Sequence, residues 1–333
     1  PMGVYFIASN NPSSWAVSGL MAYSSATYMA TQQKGRRRIA LVLCAVIGAV
    51  MCLTSRYDAA FFLLVVGLAL LFVVPWKRGG WIGLSALAGV AVLGGVTFMA
   101  SSQVSKVAYF LRLFEASDPA NSANKQSFFE KLLIGLETAP KYLGGFWGHT
   151  WTPGWHDVPL GDRAPYVLTI MTAGAFVAIA LRRGGWRKWT SMAVLVGAMV
   201  LLPAVFYANG AMEHIELYQA RYIFPLLAPT FFLMLAVDQD EDSWFTVPQA
   251  VWVTVCASLC QAITLHTLLL RFVQGVHKRW ELNLDKHIEW WWSVPVSPMM
   301  VWFLTTCVAT AAVGVAMAML TRAPQGQEEP QES

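Results

Sequence analysis

Two arginines at the ends of apolar runs have the clearest chemical potential in this chain. Arg56 stands in the motif SRYD, and Arg221 stands in the motif QARYIFP. A planar guanidinium can donate to two oxygens of one phosphate at once, so this residue type suits a phosphate or pyrophosphate group. Together with the amide of Gln219, the two arginines form a candidate phosphate-binding site.

A structural role for the same arginines stays open. Arg56 can pair with Asp58 and Arg221 with Glu216, and both side chains are long enough to reach a membrane–water interface. Asp58 and Glu213 are also weak candidates for a general base, because a carboxylate near a reacting hydroxyl can accept its proton. The spacing selects neither, and the catalytic residue stays unassigned.

Residues 142–166 (YLGGFWGHTWTPGWHDVPLGDRAPY) have the composition of a binding loop. Glycine and proline interrupt regular structure, while aromatic faces can stack on sugar rings and polar groups can bond hydroxyls. The candidate sugar- or acceptor-binding residues are His149, Trp151, Trp155, His156 and Asp157. Tryptophan anchoring at a membrane interface explains much of the same pattern. A zinc site is disfavoured, since no HExxH motif or second ligand pair accompanies the histidines.

Long apolar runs must position these residues. The chain is 56% hydrophobic and 13% charged, whereas a soluble domain carries about a quarter charged residues. Nine runs approach the roughly 20 residues that cross a bilayer as a helix. They are 14–31, 39–54, 59–75, 81–100, 164–181, 189–206, 222–238, 247–271 and 298–320. The sequence therefore predicts an all-α, polytopic integral membrane protein with about nine transmembrane helices, plus a partial one at residues 1–9.

The basic residues predict which ends of these helices face the cytoplasm. Ten of the 23 lysines and arginines fall in three short loops, 32–38, 76–80 and 182–188. Short basic loops stay on the cytoplasmic side of a membrane. Segments 55–58, 101–163, 207–221 and 272–297 then face outward, and with them both arginines and the aromatic segment. The net charge of +4 is no argument for nucleic acid.

The same reasoning divides the chain into four parts. Membrane helices occupy 1–100, an extracytoplasmic loop 101–163, further membrane helices 164–320, and a disordered cytoplasmic tail 321–333. Because the chain opens Pro-Met without a signal peptide, we expect upstream membrane segments to be missing. All five cysteines lie in apolar runs, which argues against an extracellular disulfide framework.

Two stretches of the loop 101–163 carry apolar residues at i, i+3, i+4 and i+7, the pattern of an amphipathic helix. The stretches are Val107, Phe110, Leu111 and Phe114, and then Phe129, Leu132, Leu133 and Leu136. Such helices can lie on a membrane surface. Packing against the transmembrane helices is an equal alternative.

Four segments in this order resemble the landmarks of an actinobacterial membrane-protein family, the domain of unknown function 2142. They are PMGVYFIASNNPSSWAVSGLMAYS, SRYD, GGFWGHTWTPGWHDVPL and QARYIFPLLAP, and the resemblance covers roughly residues 1–240. The family is in turn similar to the glycosyltransferases of the GT-C fold. Those are polytopic enzymes that use a polyprenyl-phosphate-linked sugar at the outer face of the membrane.

The resemblance implies a reaction class and a set of partners. A GT-C-like enzyme would transfer sugar from a polyprenyl-phosphate donor to an envelope glycan or lipid at the cell membrane. Arg56, Gln219 and Arg221 would then hold the donor phosphate. No cofactor is implied, and a divalent metal is left open. In GT-C enzymes the catalytic acid usually lies in the first outer loop, which we expect to lie upstream of residue 1. The alternative is a transporter, flippase-like protein or scaffold for lipid-linked glycans that catalyses nothing.

Overall fold

A computed structural model gives the fold of the protein. It describes residues 12–55, 59–74, 81, 85, 89, 127–147, 164–180, 184–210, 214–215, 218–236, 245–275 and 281–321. Over these residues the chain is helical and has no strand. The α-helices are α1 (Pro12–Ala30), α2 (Gly35–Ser55), α3 (Ala59–Val73), α4 (Phe128–Glu137), α5 (Ala139–Gly144), α6 (Ala164–Ala180), α7 (Trp186–Ala208), α8 (Leu227–Ala236), α9 (Val247–Gln274) and α10 (Pro298–Thr321).

Four of these helices, α2, α7, α9 and α10, are long and apolar enough to cross a membrane. They contain 21 to 28 residues, or about 32 to 42 Å of helix at 1.5 Å per residue. Three further apolar helices are shorter, namely Ala59–Val73, Val167–Ala180 and Phe224–Ala236. The prediction of a helical membrane protein is confirmed. The count of about nine spans stays a prediction, and most of the run 81–100 lies outside the described residues.

The described helices form two compact units. The larger unit comes from 2–151 and 185–237 and contains α1 to α5, α7 and α8. The smaller unit comes mainly from 152–184 and 238–333 and contains α6, α9 and α10. The four-part division predicted from the sequence cannot be compared directly with these two units, because it sorts segments by their position relative to the membrane. It stays a prediction.

In the larger unit, α1 and α2 approach each other most closely at two glycines. A Cβ atom placed on Gly19 would lie 2.5 Å from the carbonyl oxygen of Gly48, and one on Gly48 would lie 2.6 Å from the oxygen of Gly19. Small residues let helix backbones come together in this way inside membranes. The contact fixes α1, whose serine, threonine and tyrosine residues make it the most polar of the predicted spans.

Arg187, in the first turn of α7, holds the end of α3. Its Nε donates to the carbonyl oxygen of Phe72 at 2.6 Å, and its Nη2 donates to that of Val74 at 2.7 Å. The last carbonyls of a helix have no partner within the helix, and a cation there also complements the helix dipole. Arg187 was counted among the basic residues of loop 182–188 that predict the cytoplasmic side. These hydrogen bonds give it a structural role as well.

The second predicted amphipathic stretch is helix α4, while the first lies outside the described residues. A reciprocal capping box between Ser127 and Glu130 begins the helix. At Gly135, α4 lies so close to α7 that an added Cβ would stand 2.7 Å from Cα of Ala204. Lys131 places its Nζ 6.0 Å from the centre of the Tyr207 ring. The helix thus packs on α7 through its glycine face.

In the smaller unit, α9 packs against both α6 and α10. The Thr169 hydroxyl lies 3.0 Å from Sγ of Cys260, and Trp302 donates from Nε1 to the carbonyl oxygen of Ala262 at 2.8 Å. Residues 281–297 contact both helices near the C-terminal end of α9 and the N-terminal end of α10. There His266 Nε2 lies 2.9 Å from the Leu282 carbonyl oxygen, and Asp285 accepts from the backbone N–H of Met299.

Candidate functional site

Arg221 lies where an irregular segment enters the larger unit. Two 3₁₀-turns, Ala220–Tyr222 and Phe224–Leu226, lead into α8. Pro225 is the second residue of the second turn, where its fixed φ suits a helix start and its missing N–H is not needed. The run 222–238 was predicted as one span, but its α-helix contains only 10 residues.

Contacts at the opposite end of α8 fix the level of Arg221 along the helices. The Tyr28 hydroxyl donates to the carbonyl oxygen of Ala236 at 3.2 Å, which ties the end of α8 to the end of α1. From Ala236 back through α8 and the turn 224–226 is about 20 Å of helix. Because α8 and the turn 224–226 both pack against α1, that length directs the segment with Arg221 toward the N-terminal end of α1, on the side predicted to face outward.

The Arg221 side chain is half-buried and rests on its neighbour. Its Nη2 donates to the Tyr222 hydroxyl at 3.2 Å, and its Cζ lies 5.1 Å from the centre of the same ring. Such a cation–π contact orients the guanidinium. Within the described part of the chain no carboxylate pairs with Arg221. Glu216, the alternative partner, lies outside it, so that alternative stays open.

Three tyrosines, Tyr142, Tyr218 and Tyr222, form a row of ring contacts that we call the tyrosine row. The rings of Tyr218 and Tyr222 are 5.6 Å apart, and those of Tyr142 and Tyr218 are 5.5 Å apart and nearly perpendicular. Edge-to-face pairs add stability beyond the area they bury. The row connects Arg221 to α5 through a fixed sequence of aromatic rings.

The far end of the tyrosine row is anchored on α7. The buried Tyr142 hydroxyl donates to the carbonyl oxygen of Val200 at 2.8 Å. Pro203 interrupts the backbone bonding of α7 at this level, because its nitrogen carries no hydrogen. Burial raises the pKa of Tyr142, so its hydroxyl stays protonated and remains a donor at physiological pH. The anchor is therefore neutral and insensitive to ordinary changes in pH.

A second group of rings holds the turns from the other side. Phe146 lies 5.9 Å from Phe224 and 6.4 Å from Trp147, measured between ring centres, and Trp147 lies 6.4 Å from Phe231. Trp147 is the last described residue before the segment that carries the predicted sugar-binding residues. Residues 145–147 thus lie beside the turn that holds Arg221.

Two of the predicted site residues are described, and they are neighbours in one turn. Gln219 precedes the first 3₁₀-turn, and its carbonyl oxygen accepts from the Tyr222 N–H at 3.1 Å. The other predicted site residues, Arg56, Asp58, His149, Trp151, Trp155, His156, Asp157 and Glu213, lie outside the described residues. Arg56 belongs to the three-residue connection between α2 and α3, and α3 packs against the turn 224–226. The meeting of Arg56 with Arg221 stays a prediction.

Within the described residues, no group of three or more His, Cys, Asp or Glu side chains is placed to hold a metal ion. Most acidic and histidine side chains of the predicted outer segments lie elsewhere in the chain. Those that are described include Asp285, which caps α10. His266, inside α9, contacts the Leu282 carbonyl oxygen and the Trp302 ring.

The sequence analysis missed the tyrosine row. Tyr142 appeared only as the start of an aromatic segment, and its anchor Val200 stands 58 residues away. Tyr218 and Tyr222 are four residues apart, but an irregular segment offers no helical periodicity by which to read that spacing. The pairing of Tyr142 with Tyr218 left no local signal.

Comparison with known proteins gives one match. The family model described as "Predicted membrane protein (DUF2142)" matches residues 1–230, a range that contains every predicted site residue. This confirms the resemblance to that family, while the actinobacterial source and the GT-C likeness stay predictions. No curated protein and no solved structure matches the chain.

Proposed function

The chain belongs to the DUF2142 family of predicted membrane proteins, and on this premise we propose that it is a GT-C-like membrane glycosyltransferase or part of one. It would transfer a sugar from a polyprenyl-phosphate donor to an envelope glycan or lipid at the outer face of the cell membrane. The GT-C resemblance suggests the reaction class. The observation that carries the proposal is the placement of Arg221.

A cation at this level of a membrane protein is costly unless an anion accompanies it. Among the described residues, Arg221 contacts the hydroxyl and ring of Tyr222, which orient its guanidinium. A lipid phosphate lies at the hydrocarbon boundary, near the end of α1 where the turn lies. The guanidinium fork suits phosphate oxygens, which supports a role in holding the donor.

The other predicted residues take complementary roles in the proposal. Arg56 and Gln219 would complete the phosphate site, and Trp151 and Trp155 would flank the sugar, with His149, His156 and Asp157 bonding its hydroxyls or those of the acceptor. Transfer breaks the bond between the anomeric carbon and the phosphate oxygen and forms a bond to an acceptor oxygen. The lipid phosphate leaves with the electron pair, and a base takes the acceptor proton. Asp58 and Glu213 remain weak candidates for that base.

The test is transfer of radiolabelled sugar from polyprenyl-phosphate donors in membranes that contain the full protein, with protein level checked by blot. Arg221→Ala should lower transfer by roughly tenfold or more, since a hydrogen bond to a charged group contributes about 1.5–3 kcal/mol. Arg56→Ala should do the same. Lysine at either position should restore only part, because it lacks the bidentate fork.

Arg271 supplies a matched control. It also lies at the end of a helix on the side predicted to face outward, with its Cζ 5.8 Å from the centre of the adjacent Phe272 ring. Arg271→Ala should leave transfer unchanged. Normal transfer by both Arg56→Ala and Arg221→Ala would remove the phosphate role. If the wild type transfers sugar from none of the donors, the transporter or scaffold alternative takes its place.

A further inference from the structure

We propose that helix α4 lies on the surface of the lipid bilayer, with an apolar face made of Phe128, Phe129, Leu132, Leu133 and Leu136 in contact with the lipid. The proposal concerns the structural setting of α4 and does not depend on the proposed enzymatic function. It rests on how α4 is fixed, on which side chains it exposes, and on the level at which it lies.

The orientation of α4 is set by backbone packing. Gly135 brings the helix against Ala204 of α7 at a separation that excludes even a methyl group. Lys131, one turn earlier on the same face, reaches the Tyr207 ring. The capping box at Ser127 fixes the residue at which the helix begins. With its start and its packing face fixed, the directions of the remaining faces of α4 are fixed as well.

Successive residues are rotated by about 100° around a helix, so α4 has three distinct faces. One face, with Lys131 and Gly135, packs against α7. A narrow acidic edge carries Glu130 and Glu137. The remaining arc is entirely apolar and points away from α7, and it exposes 69% of Phe129, 58% of Leu133 and 47% of Phe128.

The position of α4 along α7 selects lipid as the partner of this arc. Ala204 lies four residues before the end of α7, or about 6 Å along the helix axis. Because α7 is long enough to cross a membrane, this level is the boundary between headgroups and hydrocarbon. An amphipathic helix at a membrane surface lies at this depth. The same span exposes Val196 and Leu201 to its surroundings, so the arc of α4 extends an apolar surface that already faces lipid.

The charges of α4 make the expected binding independent of anionic lipid. Surface helices that need anionic lipid carry lysine and arginine on their polar face. Here the polar edge holds Glu130 and Glu137, and the single cation Lys131 is turned toward Tyr207. The interaction should rest on apolar contact and should be complete in neutral phosphatidylcholine.

The test places one spin label on each face of α4 in the full chain, reconstituted in phosphatidylcholine vesicles after replacement of the native cysteines. Labels at Phe129→Cys and Leu133→Cys should collide more often with oxygen, which concentrates in lipid, than with a water-soluble nickel chelate. A label at Glu137→Cys is the matched control and should show the reverse order. Adding anionic lipid should change none of the three.

Each other outcome overturns the proposal. If nickel collisions dominate at Phe129 and Leu133, the face lies in water. If neither reagent reaches those labels, protein covers the face. Since two positions probe the same face, loss of folding in one variant leaves the other to decide, and folding is checked by the elution volume of the purified protein.

Discussion

The closest helix contact in the structure gives the sharpest prediction. Replacing Gly19 by alanine would put a methyl group 2.5 Å from the Gly48 oxygen and 2.9 Å from the backbone nitrogen of Cys52. Ordinary contact begins near 3.4 Å, so the space is short by about 0.9 Å. Both obstructing atoms belong to the backbone of α2, so no side-chain rotamer change can relieve the clash. α1 and α2 must separate.

The expected cost follows from overpacking. Forcing an extra carbon into a closely packed contact typically costs 1–3 kcal/mol. Alanine in a helix interior returns up to roughly 1 kcal/mol through its higher helix propensity. Gly19→Ala should therefore lower the apparent midpoint of thermal unfolding by up to about 4 °C, and by about 2–6 °C relative to an alanine that gains the helix propensity without the clash, taking roughly 2 °C per kcal/mol for a chain of this size.

Gly197, inside α7, supplies the matched control, because a Cβ there meets nothing within 4 Å. Gly197→Ala should leave the midpoint unchanged or raise it. Gly48→Ala should resemble Gly19→Ala, and the double variant should cost less than the two single losses together, because one separation of the helices relieves both clashes. The assay is intrinsic tryptophan fluorescence of the detergent-solubilised protein during heating. Equal midpoints for Gly19→Ala and Gly197→Ala would refute the close approach.

Three further predictions concern the anchors and the topology. Tyr142→Phe should cost about 1 kcal/mol by the same thermal assay, since it removes one hydrogen bond, and the deficit should be constant from about pH 6 to pH 9 because the raised pKa of Tyr142 lies above that range. A deficit that disappears within that range would contradict the neutral donor. Arg187→Ala should cost more, about 1.5–3 kcal/mol, because it removes two charged hydrogen bonds, and Arg187→Gln should not recover it. A cysteine at Asn283 should react with a membrane-impermeant thiol reagent on whole cells, and one at Gly184 should not. The opposite labelling pattern would invert the predicted topology.

The bounds of most described helices could be predicted from the sequence, because the length of an apolar run is a local property of the chain. The predicted run 298–320 is α10 within one residue at its end, and the run 247–271 extends by three residues to the end of α9. The run 222–238 is less regular than its composition suggested, because composition alone does not report where an apolar segment changes from 3₁₀ to α. Pro225 and Pro229 were the available sign of that change.

The candidate site could be proposed from the sequence only where a charged residue interrupts an apolar run. Arg221 was proposed in that way, since an ionisable residue at a membrane boundary is conspicuous. Tyr142 and Arg187 were not assigned their roles, because their partners stand 58 and 115 residues away in sequence. Neutral tyrosine has no charge to mark it, and the arginine was counted as one basic residue of a loop. Contacts of this range follow from tertiary packing and leave no pattern in a single sequence.

The interleaving of the two units has a consequence for synthesis. Helix α6 leaves the ribosome before α7 and α8, yet the helix against which it packs is α9. About 66 residues separate Ala180 from Val247, which is roughly 3–13 s of translation at 5–20 residues per second. During that interval α6 exists without α9 to pack against. A chain terminated after residue 237 would make this state permanent, and pulse-labelling with protease digestion should then cut 152–184 faster than 185–237.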